Sequence, residues 1–262
     1  MIPKTIHYTW FSGEPFPAKV QECINSWQCH MPDYQFVLWD ADRIKDIDSI
    51  WLRECLTERK WAFASDFIRV YAVYHYGGIY LDTDCKVFQS FDPLLTHTAF
   101  MGREWTIHAD THPNEQYLTS HCFGAVPGHP FIKRCLEYYN DRHFILSTDP
   151  TLCHRLRYDE LLMPFIQSEL AKLYGYNPRP SAGYAVQSLT EGITVYPSVY
   201  FDPYNLSSST FCQHLCLGSW RDYQFRPDTV QTVTLSYRIR YHIQEFLFKL
   251  FDRLGYIWIK KD

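Results

Sequence analysis

The sequence predicts an α/β fold: a parallel sheet with helices on both faces. Three observations predict it. A β-α-β succession opens the chain, a strongly apolar helix stops at a Gly-Gly pair that feeds another buried strand, and that strand runs straight into paired aspartates. Ligands of such sheets bind beyond the carboxyl ends of the strands, the place where the aspartates fall.

The elements follow in order. Lys4 to Phe11 mixes β-branched and aromatic residues ahead of a Ser12-Gly13-Glu14-Pro15 turn, which reads as a first strand. From Pro17 to His30, Val20, Ile24 and Trp27 recur at helical spacing, Pro32-Asp33 ends the segment, and Gln35 to Trp39 reads as the second strand. Arg43 to Lys60 reads as a ragged helix. Trp61 to Tyr76 is an apolar helix ended by Gly77-Gly78, and Ile79-Tyr80-Leu81 is a short buried strand. Further on, the pattern predicts a strand over 121–126, helices over 130–139 and 159–173, and a Pro-, Gly- and Tyr-rich stretch over 175–205, with no internal repeat and no linker. Residues 236–261 carry Ile239, Ile243, Phe246, Leu247, Leu250, Phe251 and Leu254 at helical spacing.

Composition narrows the function. A chain of 262 residues fits one domain with elaborations. Its 46% hydrophobic and 21% charged residues are globular values, and no apolar run of about 18 residues suggests a membrane span. Aromatic residues reach 18%, which implies large buried side chains or stacking platforms. A formal charge of −4 and a pI near 6.3 argue against nucleic acid as a partner, because that binding relies on a basic surface. A phosphorylated small molecule stays open, since a bound metal can supply positive charge. Nine cysteines without CxxC pairs or zinc-like spacing read as reduced thiols in a cytoplasm. The N-terminus has no apolar core or cleavage site of a signal peptide, so the chain is expected to begin directly in its fold.

Two groups of residues carry chemistry. Ser65, Asp66 and Arg69 lie three or four residues apart in the otherwise apolar helix, which puts Arg69 beside both others. An internal ion pair that fixes the helix and a ligand site both account for them. Asp82-Thr83-Asp84 sets two carboxylates on one side of an extended chain. Carboxylates this close repel, and a cation between or beside them relieves the repulsion; oxygen ligands at an open site favour Mg²⁺ or Mn²⁺.

Ile6 to Phe11, Ala64-Ser65-Asp66-Phe67-Ile68-Arg69, Tyr76 to Asp84 and Gly218-Ser219-Trp220 together resemble glycosyltransferase family 32, the DXD sugar-binding family. That family includes yeast mannosyltransferases and bacterial capsule and lipopolysaccharide transferases. The resemblance is dense over 2–102, recurs at 124–131 and 192–203, closes at 214–220, and leaves out 221–262. It implies a GT-A Rossmann-like nucleotide-diphospho-sugar transferase fold over 1–235; the spacing and charges of 236–262 themselves read as an amphipathic basic C-terminal helix. It implies a retaining hexosyltransferase, a UDP- or GDP-sugar donor, Mn²⁺ or Mg²⁺ as cofactor, and a saccharide or lipid-linked acceptor in polysaccharide biosynthesis.

Site roles follow position by position. The resemblance makes Asp66, Asp82 and Asp84 the catalytic set, Asp82, Asp84 and His214 the metal ligands, and Trp10, Ser65, Asp66, Arg69, Asp82, Ser219 and Trp220 the nucleotide-sugar contacts. Trp10 would stack on the base; a core tryptophan is the other reading. This chain departs from many relatives in having one histidine, His214, ahead of Gly-Ser-Trp rather than two, and in having His121 where relatives often have Asn. The resemblance further implies front-face attack by the acceptor hydroxyl as the diphosphate leaves; no uncommitted carboxylate pair of the glycosidase kind stands out.

The tail carries Lys/Arg at 238, 240, 249, 253, 260 and 261 against Glu245, Asp252 and Asp262, a net +3 that leaves −7 on the rest. Two readings stay open for it: peripheral contact with the inner face of the cytoplasmic membrane, or packing on the catalytic domain. Two rival functions also exist. Asp-x-Asp after a strand begins the haloacid-dehalogenase phosphatases, but Lys86 stands where they carry Thr or Val. A non-catalytic sugar-binding module would not need a diphosphate site.

Overall fold

The computed structural model of the chain describes residues 1–105, 115–217 and the helical positions 243, 246 and 247. The opening unit is as predicted. β1 (Thr5–Thr9), α1 (Ala18–His30) and β2 (Gln35–Trp39) form a parallel β-α-β, paired from Thr5 with Gln35 to Thr9 with Trp39. α1 buries Val20, Cys23, Ile24 and Trp27, the face its spacing defines.

The ragged helix is two helices, α2 (Ala41–Ile44) and α3 (Ile50–Thr57). Each has its own cap: Asp40 accepts the Arg43 amide at 2.9 Å, and Ser49 accepts the Leu52 amide at 3.2 Å. Short polar side chains compete with helical hydrogen bonding, so the Asp46 to Ser49 stretch breaks the run. α4 (Trp61–Tyr76) and β3 (Gly78–Leu81) lie where predicted. The Gly77-Gly78 link has φ of 66° and 96°. A Cβ on Gly77 would sit 2.6 Å from Pro127 Cδ, and one on Gly78 2.7 Å from the Thr5 carbonyl, so the turn needs glycine for both angle and space.

The later part holds more strands than its sequence pattern suggests. β4 (Cys85–Val87), β5 (Ala99–Arg103) and β6 (Leu118–Ala125) precede α5 (Pro130–Glu137), α6 (His154–Arg157) and α7 (Met163–Lys172). β7 (Gln187–Ser188) and β8 (Ile193–Tyr196) lie inside the Pro-, Gly- and Tyr-rich stretch, and β9 (Cys212–His214) follows.

The main sheet runs β2-β1-β3-β6-β5-β8-β7. It is α/β as predicted, but mixed rather than all parallel. β6 runs antiparallel to both β3 and β5, and β7 antiparallel to β8. All eight residues of β6 are buried, and a strand buried on both faces carries no alternation from which its direction could be read.

Alternation along β3 serves two cores. Ile79 and Leu81 join Ile6, Trp27, Phe100 and Phe201 on the α1 face, while Tyr80 joins Phe67, Ile68, Met101 and Phe123 on the α4 face. A separate ribbon pairs β4 with β9, placing Cys85 opposite His214. Because β5 and β8 are parallel and β6 opposes both β3 and β5, the carboxyl ends of β3, β5 and β8 share one edge.

Candidate active site

The predicted polar patch of α4 and the aspartates after β3 form one network. Arg69 is buried, and its Nη2 lies 3.0 Å from Asp66 Oδ1 and 3.4 Å from Asp82 Oδ1. Its Nη1 donates to the Ser120 carbonyl at 2.8 Å and the Ser120 hydroxyl at 2.9 Å, and its guanidinium lies 4.7 Å from the centre of the Tyr80 ring. The ion pair within the helix is present, and Arg69 reaches on from Asp66 to the aspartate motif, so the two groups of residues meet.

Hydroxyls complete the network. Tyr80 donates to Asp82 Oδ1 at 2.8 Å, which makes its oxygen the acceptor for Ser65 at 2.7 Å; Thr9 lies 2.8 Å from Ser65. The chain of hydroxyls thus runs from β1 through α4 to β3 and ends on the carboxylate. Burial pushes the Asp66 carboxyl up to about 6, against the pull of Arg69 and with the push of Asp82. Asp82 keeps Oδ2 without a partner among the described residues.

Asp84 faces the β4–β9 ribbon. Its Oδ1 lies 3.1 Å from His214 Nε2, and its Oδ2 accepts the Leu217 amide at 3.0 Å. Burial alone would raise Asp84, but the hydrogen bond and charge of His214 hold it below its ordinary value. Ligand atoms of Asp82, Asp84 and His214 all lie within 4.8 Å of one another. Two carboxylates and one imidazole converging at that spacing fit a hard divalent cation. The single histidine suffices to complete a three-residue set.

His121 is the contributor that sequence reasoning left in doubt. It is buried, and its ring stacks on His214 with centroids 4.5 Å apart and planes 24° apart. Its Nε2 donates to the Phe201 carbonyl at 3.1 Å, and its own carbonyl accepts the Asp82 amide at 2.9 Å. Burial lowers its pKa to about 3, so the ring is neutral and supports His214 without competing for charge. Thr9, Tyr80 and Ser120 were missed as site residues; polarity inside fully buried strands was the signal for Tyr80 and Ser120, while half-buried Thr9 gave none.

Trp10 is half-buried at the end of β1, pinned by its indole N–H to the Glu14 carbonyl and set edge-on against Phe16 at 5.0 Å. Lys86 points to solvent from β4. Ser219 and Trp220, like most of 236–262, lie outside the described residues.

Residues 17–101 match the model for the glycosyltransferase sugar-binding region containing DXD motif. The chain carries a DXD glycosyltransferase region. It is 29% identical over 195 residues to inositol phosphoceramide mannosyltransferase 1 of Schizosaccharomyces pombe, a match covering 68% of this chain and 58% of that one. It is 29% identical over 152 residues to mannosyl phosphorylinositol ceramide synthase SUR1 of Saccharomyces cerevisiae, covering 55% and 37%. The chain thus spans less than two thirds of these yeast proteins. An uncharacterized glycosyltransferase, L373, of Acanthamoeba polyphaga mimivirus is 24% identical, covering 82% of this chain and 79% of that one. Among solved structures, the PaToxG glycosyltransferase aligns at 17% identity and TM-score 0.44, covering 66% and 68%. The galactosyltransferase LgtC, in complex with donor and acceptor sugar analogs, aligns at 12% and 0.39, covering 90% and 99%.

Proposed function

We propose that the chain is a metal-dependent, retaining GT-A-type glycosyltransferase that moves a hexose from a nucleotide sugar to a hydroxyl acceptor. One observation carries the reading. Asp82 links a buried, arginine-centred network to Asp84 and His214 at the carboxyl edge of the sheet, which supplies sugar contacts and metal ligands side by side.

Each group has a task. Asp66 and Arg69 offer an acceptor and a donor to the sugar and phosphate of the nucleotide sugar, and Trp10 offers a face to its base, with Ser219 and Trp220 expected to close over the diphosphate. Arg69 is held by Ser65, Ser120 and Tyr80, so its orientation is set before the donor arrives. Asp82, Asp84 and His214 would hold Mn²⁺ or Mg²⁺, which would supply positive charge for a departing nucleoside diphosphate. The acceptor hydroxyl attacks from the face the nucleotide leaves, and a donor phosphate oxygen takes its proton.

The names of the yeast relatives favour mannose as the sugar and GDP-mannose as the first donor to try. They also favour a lipid-linked phosphoinositol acceptor over the surface polysaccharide implied by bacterial family members. We place the enzyme in the cytoplasm, peripheral to the membrane through 236–262. Thermal-shift measurement with GDP-mannose and a panel of UDP-sugars, each with Mn²⁺, tests the core of this. One donor should stabilise the protein in the presence of Mn²⁺ and not in EDTA, and Asp84→Asn should abolish the shift. Stabilisation by no donor, or equally without metal, contradicts it.

A further inference from the structure

Two exposed aromatic rings and a carboxylate stand at the same sheet edge, outside the network described above. Trp105 follows the carboxyl end of β5, and Asp202 and Tyr204 follow that of β8. Trp105 is 45% exposed and Tyr204 72%, with ring centroids 4.9 Å apart. The Trp105 amide donates to Asp202 Oδ2 at 3.1 Å, which fixes the carboxylate beside the indole; Oδ1 has no partner among the described residues.

The group is anchored to the metal-ligand cluster. Phe201, adjacent to Asp202, is fully buried and stacks on Phe100 at 5.6 Å and Phe211 at 5.7 Å. Its carbonyl accepts His121 Nε2, and His121 stacks on His214. The Asp202 amide donates to the Ser198 carbonyl at 2.8 Å, so the short segment after β8 is held at both ends. Burial raises the Asp202 carboxyl, and the nearby His214 opposes that.

Exposed aromatic rings cost free energy in water unless something covers them, and their faces suit the C–H surface of a saturated ring. A fixed carboxylate with an open oxygen accepts hydroxyl hydrogens at the rim of such a ring with charge-assisted strength. A six-membered polyol is apolar on its faces and hydroxylated at its edge. We propose that Asp202, Trp105 and Tyr204 form an acceptor subsite for a polyhydroxylated six-membered ring, a pyranose or a cyclitol. The subsite rests on the transferase reading for its purpose, but its binding chemistry stands independently of the metal ligands. A ring seated there presents its hydroxyls beside Asp202, next to the segment that supports His121 and His214.

Saturation-transfer NMR on the full chain with Mg²⁺ tests this, using methyl α-D-mannopyranoside and myo-inositol at millimolar concentration and irradiating aromatic protons. Transfer to the C–H protons of at least one probe is expected. Asp202→Asn keeps an acceptor for the Trp105 amide and should weaken binding roughly ten-fold, as loss of a charged acceptor does. Tyr204→Ala should weaken it similarly. Tyr76→Ala, which removes an exposed ring at the opposite sheet edge, should leave it unchanged. Preference for the mannoside identifies a saccharide acceptor, and preference for inositol a cyclitol headgroup. No transfer to either probe, or transfer that survives both Asp202→Asn and Tyr204→Ala, overturns the proposal. If the probes bind but no nucleotide sugar stabilises the wild type, the transferase reading fails and the subsite stands.

Discussion

Tyr80 sits where three elements meet, and its hydroxyl explains why Asp82 has a fixed orientation. It donates to Asp82 and accepts from Ser65 in a buried setting. Tyr80→Phe should therefore cost about 1–2 kcal/mol of stability in urea denaturation, because Ser65 loses its acceptor and Asp82 its donor. The same change should weaken Mn²⁺ binding, since Asp82 then turns away from Asp84 and toward Arg69. The aspartates and Arg69 were legible in the sequence as charges inside apolar segments, where only a partner or a ligand makes them tolerable. The Tyr80 hydroxyl and His121 were not legible. A tyrosine in a buried strand reads as core, and the stacking of His121 on His214 arises from a ribbon that joins residues far apart in the chain.

At the scale of elements, His7 ties β1 to its neighbours through both ring nitrogens. Nε2 donates to the Gly77 carbonyl at 2.8 Å, so Nδ1 is left to accept the Trp39 indole N–H at 3.1 Å. Burial lowers its pKa to about 4, against the effect of the Gly77 carbonyl. The unfolded ring takes up a proton below about 6.5 and the folded ring refuses it until about 4, so stability falls as pH falls through that window. Denaturation at pH 7 and pH 5 should show a loss about 2 kcal/mol larger in the wild type than in His7→Gln, which can keep both hydrogen bonds. Equal losses would show that His7 is not the group responsible. The β1-α1-β2 unit and the α4-β3 step were readable because periodicity changes sharply at Pro32-Asp33 and Gly77-Gly78. β5 and the direction of β6 were hidden, since strands buried on both faces lose their alternation, and β8 was hidden by its four-residue length inside the Pro-, Gly- and Tyr-rich stretch.

For the whole molecule, the charge division between a −7 body and a +3 tail is the feature most open to direct test. Ile243, Phe246 and Leu247 are helical and exposed, three apolar residues at the predicted spacing. Flotation with anionic liposomes should carry the full chain upward, and deletion of 236–262 should abolish this; a bound fraction unchanged by the deletion rules out the membrane role. On the proposed reading the body needs a cation to hold an anionic donor, and Asp82 and Asp84 of the β3–β4 turn and His214 of β9 would supply its site. Titration of Mn²⁺ followed by electron paramagnetic resonance measures that claim directly. Saturable binding of one ion is expected in the wild type, with at least about a hundred-fold loss in both Asp84→Asn and His214→Ala. Wild-type Mn²⁺ affinity in either folded variant would contradict the metal centre on which the functional reading depends.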